Sequence, residues 1–222
     1  MSPLFSSCER RFAVFAWLAL AALVASGSAW PAADDARQGA FRSFARASAG
    51  DDSAIEPAAE AFEALRKAEP ANPVLTAYAG ASIAMQAKTT LAPLKKMSLA
   101  EDGLALVDKA LAMLTPAHDA PIERATPGSL EVRFVAANTF LAVPPFMNRA
   151  ARGRKLLSEV LASPLFDKAP LPFQGSVWLR AAELAAKEQR ADDARRYLNE
   201  IVLRNAPQAG QARDLLLKGP TP

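Results

Sequence analysis

The sequence predicts an all-α protein. About 50 of its residues are alanine, against 10 glycines, a bias that favours helix over strand. No stretch alternates apolar and polar residues over two-residue steps, and no β-branched run is bounded by turns. Proline and glycine cut the chain into pieces of helix length. At 222 residues, with 51% hydrophobic and 22% charged residues, the chain is long enough to build one domain around a real core.

The first thirty residues read as a targeting segment. Arg10 and Arg11 precede the apolar run Phe12 to Val24, and small residues follow from Ala25 to Ala29. This is the three-part order of a secretory signal peptide, with cleavage expected after Ala29 and a mature domain over 30–222. The expected location is the periplasm or the exterior. An uncleaved N-terminal membrane anchor is the alternative, since extending the run to Trp30 approaches the length of a spanning helix. Cys8 is the only cysteine and lies before the apolar run, so cleavage would leave no thiol for a disulfide, a nucleophile or a metal.

Each remaining piece has its own signals. Residues 34–49 carry Phe41, Phe44 and Ala45 on one side. Asp51 and Asp52 place acids at the start of the next helix, where Ile55, Ala58, Ala59, Phe62 and Leu65 repeat at helical spacing up to Pro70. A helix over 74–90 is dense in small residues, including Ala77, Gly80, Ala81 and Ala84, which let helix backbones approach closely. Leu104, Val107, Leu111 and Leu114 give a face to a helix over 98–114. Residues 115–128 hold three prolines and read as a loop. Helices are expected over 129–143, 146–162, 173–187 and 191–205, with a short one over 208–218. Short connections imply antiparallel neighbours.

In the last hairpin, WLRAAELAAKEQRADDARRYLNEIVLRNAP, Trp178, Ala182, Ala185, Ala194, Leu198 and Ile201 stand at the spacings of packing residues in a repeat. The hairpin resembles a tetratricopeptide repeat. Phe62, Leu65 and Pro70 match about half of another, whereas Pro144-Pro145 and the 115–128 loop interrupt the middle of the chain. The resemblance implies a right-handed α-solenoid of about four antiparallel hairpins. It also implies a concave surface that binds peptides or partner proteins without catalysis.

Net charge is +3, close to balanced, and the basic stretch Asn148 to Lys155 lacks interleaved aromatics, so nucleic acid is not the expected partner. There is no phosphate-cradling glycine loop, HExxH or paired-carboxylate signature, and no cofactor or metal is expected. His118, the only histidine, sits in the 115–128 loop and reads as a surface residue. Arg133 stands out in a helix that is apolar nearly all round. A buried guanidinium there needs a partner, and Asp108 on the preceding helix is the expected one. Alternatively, Arg133 lines a groove and receives a ligand carboxylate, with Asn138 and the turn residues Asn148 and Arg149 beside it. The expected function is a non-catalytic scaffold docking an envelope protein or peptide. A small-molecule binding protein is the alternative, and membrane contact is expected only through an uncleaved N-terminal segment.

Overall fold

The computed structural model describes residues 29–219, with side chains from Asp34 onward. Most of the targeting segment, Cys8 included, lies outside the described residues. The described chain is all-helical: α1 (Ala29–Ser48), α2 (Ile55–Ala68), α3 (Pro73–Thr89), α4 (Pro93–Ala112), α5 (Gly128–Ala142), α6 (Ala150–Ala162), α7 (Leu171–Lys187), α8 (Ala191–Leu203) and α9 (Ala209–Lys218). Short 3-10 turns punctuate the connections. Among the described residues, β-type pairing is confined to one isolated bridge between Pro121 and Pro127.

Local chemistry sets the boundaries. Asn72 caps α3 by accepting from the Val74 and Leu75 amides at 3.1 and 3.3 Å, and Pro73 follows at the first helical position, where a missing N–H costs nothing. Pro93 plays the same part in α4, which therefore starts at Pro93 rather than at Ser98. Pro144 and Pro145 end α5 and pass through a 3-10 turn to Asn148 in the left-handed region at φ 54, so α6 begins at Ala150 rather than Phe146.

Neighbouring helices pack largely in chain order. α1 meets α2, α2 meets α3, and so on to α8 on α9; α3 also reaches α1 and α5. α3 and α5 are enclosed on nearly all sides, whereas α2, α6 and α8 bury one stripe each. The core forms two main clusters. One joins Ala40, Phe62, Leu75 and Tyr78 of the N-terminal half to Val132 and Val135 of α5; the other runs from Leu104 through Phe140, Val160 and Trp178 to Ile201 and Ala212. Both draw on α4 and α5.

The closest helix contact is α3 on α4. A Cβ on Gly80 would lie 2.6 Å from the Gly103 carbonyl oxygen, and one on Gly103 would lie 2.5 Å from that of Gly80. The two backbones touch where both side chains are hydrogen. In the last hairpin, Trp178, Ala182 and Ala185 of α7 and Ala194, Leu198 and Ile201 of α8 are all buried. Trp178 meets Phe166 edge-on, with ring centroids 5.4 Å apart.

Candidate functional site

The most developed polar assembly lies where α1, α3, α5 and the proline-rich connection between α4 and α5 converge. Tyr78 of α3 sits in an aromatic box. Its ring stacks on Phe62 at 5.0 Å between centroids and receives Phe41 and Phe44 edge-on at 5.0 and 4.7 Å. Its hydroxyl donates to Glu131 Oε1 at 2.9 Å. Arg124, from the connection, donates through Nε to the same carboxylate oxygen at 3.0 Å and through Nη2 to the Tyr78 hydroxyl at 2.5 Å. Its guanidinium lies over the Phe41 ring, 4.5 Å from the centroid.

Glu131 is thus a buried carboxylate, its side chain only 1% exposed, compensated by one charged and one neutral donor. Its Oε2 atom has no hydrogen-bond partner. Burial, reinforced by the Glu131 charge, pushes the Tyr78 phenol well above its ordinary range, while Arg124 opposes the shift. The phenol therefore stays protonated and can keep donating.

A second knot stands beside the first. Glu123, also 1% exposed at its side chain, accepts from Arg37 of α1 at 2.8 Å and from Asn72 Nδ2 at 2.5 Å. Arg37 also pairs with Glu69 at the end of α2. Burial works against the Arg37 charge, yet Glu123 and Glu69 together hold its pKa above the ordinary value. Consecutive residues Glu123 and Arg124 thereby tie the connection to α1, α3 and α5, and Arg37 extends the tie to the end of α2. Ser129 Oγ donating to Asp119 at 2.5 Å, and the Gly128 amide donating to the Ala120 carbonyl at 3.0 Å, close the connection on itself.

Two clefts flank these knots. One, of about 330 Å³, is lined by Asp34, Arg37, Gln38, Phe41, Arg42, Glu123 and Arg124. The other, of about 400 Å³, lies between Glu69–Pro73 and His118 with Ile122. The His118 ring accepts from the Thr115 amide through Nδ1 at 2.9 Å, which fixes a turn of the connection. Among the described residues, no group of three or more histidine, cysteine or acidic side chains is arranged to hold a metal.

The residues singled out from the sequence fall elsewhere. Asp108 does not pair with Arg133. It accepts from Arg149 at 3.0 Å and also from Arg152, so its ion pairs run from α4 to α6. Both guanidiniums lie over Phe140, at 5.5 and 5.1 Å. Arg133 is 34% exposed at its side chain; it donates to the Ser129 carbonyl one turn back and comes within 4.0 Å of Glu159. The expectation failed because α5 presents Arg133, Phe134, Asn138 and Leu141 on its less enclosed stripe, beside α6 rather than α4. Arg149 is committed to Asp108, and the Asn148 side chain is exposed and donates to the Phe146 carbonyl at 3.3 Å. The four proposed ligand residues line neither cleft.

Glu131, Glu123 and Arg124 were not singled out from the sequence. Glu131 carried the same signal as Arg133, a charge inside an apolar helix. Glu123 and Arg124 carried none, because charged residues in a proline-rich connection normally face water. The chain matches no family model, and no curated protein or solved structure aligns with it significantly.

Proposed function

We propose that the chain is a non-catalytic scaffold, a tetratricopeptide-like array of helical hairpins that docks an extended peptide or protein segment. The observation that carries this reading is the order of packing, hairpin on hairpin along the chain, with α3 touching α1 and α5. Stacked hairpins of this kind create extended surfaces without a central pocket. The cleft beside α1 is a reasonable docking point, because it combines an aromatic ring, Phe41, with the arginines 37, 42 and 124 on a braced backbone. A photo-crosslinking residue at Gln38, in the cleft, should capture a defined protein in the native host, and the same residue at exposed Gln211 on α9 should not. Equal capture from both positions, or none from Gln38, would refute the scaffold reading.

A small ligand is the second reading. It is favoured by the cleft of about 400 Å³ beside His118, which lies within the usual range for ligand sites, roughly 300–1,000 Å³. A raised melting temperature with a metabolite, abolished by Ile122→Arg, would support it.

The scaffold is proposed to act in the periplasm or outside the cell after cleavage behind Ala29. Mass measurement of the protein from an osmotic-shock fraction should place the mature start at Trp30, or at Ser28 if cleavage follows Gly27. Intact Met1 in washed membranes would instead make the first segment an anchor.

A further inference from the structure

We propose that the turn joining α3 to α4 is a lipid-docking tip that seats the molecule on an anionic phospholipid surface. Residues 91–98 are exposed without interruption. Within them Leu91 is 97% exposed, Leu94 88% and Met97 38%. The other exposed large apolar side chains, Phe146, Leu203 and Leu217, stand singly on separate elements, whereas these three fall within seven residues. Leu94 and Met97 are three residues apart in the first turns of α4 and so share a side, with Leu91 just ahead of them.

The charge around this tip has one sign. Lys88, Lys95 and Lys96 flank the leucines, and no acid occurs between Glu69 and Glu101. None of the three lysines makes an ion pair among the described residues, whereas many of the arginines are paired. Flexible, unpaired ammonium groups suit a diffuse layer of phosphates better than a fixed protein carboxylate, for which arginine forks are the usual partner. The shape agrees. α3 and α4 are locked together at Gly80 and Gly103, and Thr89 lies about 14 Å further along the helix from Gly80, so the leucines cap a projection rather than line a groove. Leucines on a projection ringed by lysines match an interface where acyl chains lie just beneath anionic headgroups. The inference does not depend on the peptide-docking reading.

The test places an environment-sensitive nitrobenzoxadiazole label at the tip of the full chain, through Leu94→Cys in a Cys8→Ser background, with Ser158→Cys on α6 as the reference position. Vesicles of phosphatidylglycerol in phosphatidylcholine should shift emission from position 94 to the blue, and position 158 should not respond. Pure phosphatidylcholine should give little shift, and high salt should weaken the response. Lys95→Gln with Lys96→Gln, or Leu91→Ser, should each lower the apparent affinity by about tenfold. No shift at position 94, or an equal shift at 94 and 158, would overturn the proposal. So would indifference to the lysine changes, the result expected if residues 1–28 alone carry the chain to the vesicles. Blue-shifted emission before vesicles are added would assign the tip to another part of the chain or to a second copy, and would also overturn it.

Discussion

Tyr78 is where residue chemistry and fold architecture meet. Its ring fills the core between α1 and α2, and its hydroxyl serves a carboxylate on α5 and a guanidinium from the connection. Tyr78→Phe keeps the packing and removes one donor from Glu131, so it should cost about 1–2 kcal/mol at neutral pH. The alkaline behaviour follows from the raised phenol. The unfolded chain releases this proton near pH 10 and the folded chain holds it, so folding weakens as pH rises from about 10 through the native pKa. Urea unfolding across that window should show a shallower decline for Tyr78→Phe than for the unaltered protein; parallel declines would mean that the phenol is not held as described. Arg133 gives the contrasting case. It is a third exposed and bonded mainly to a carbonyl, so Arg133→Ala should change stability by less than about 1 kcal/mol in thermal or chemical unfolding. Both Glu131 and Arg133 were visible in the sequence as charges within an apolar helix. Periodicity separates their faces by about 200° but does not say which face the rest of the chain will cover.

At the level of elements, the sequence announced nearly every helix, because capping residues and prolines act locally. It was less informative where a proline begins a helix instead of ending one. Pro93 opens α4 five residues before Ser98, and those extra residues carry the exposed Leu94 and Met97. The small-residue face of α3 was legible, but its match to Gly103 was not, since register between helices is a tertiary property. Substitutions separate the two roles of glycine. Gly80→Ala or Gly103→Ala drives a methyl group into the opposing backbone and should destabilise the fold by about 1–3 kcal/mol, or more if α3 and α4 must separate. Gly210→Ala in α9 meets nothing within 4 Å and should stabilise by about 0.5–1 kcal/mol. Equal effects at Gly103 and Gly210 in denaturant melts would contradict the close helix crossing.

Across the whole molecule, helices adjacent in the chain pack together, and α4 and α5 contribute to both main core clusters. The N-terminal half is further laced by the Glu123 and Arg124 knots, whereas the C-terminal half relies on apolar packing around Trp178, Leu198 and Ile201. The fold class was legible because helix periodicity and punctuation are local. The polar knots were not, because apart from Arg124–Glu131 their bonds between different elements join residues 32 to 86 positions apart. In the serial stack proposed above stability would be local, so damage at one end should spread mainly to its neighbours. Hydrogen–deuterium exchange of Ile201→Ala tests this most directly. The substitution removes a fully buried side chain from α8, and a loss of about 2–5 kcal/mol is expected there. Exchange should accelerate through α7, α8 and α9 while the amides of α1, α2 and α3 keep their protection. Equal loss of protection from α1 to α9 would show a single cooperative globule and contradict the proposed serial stack.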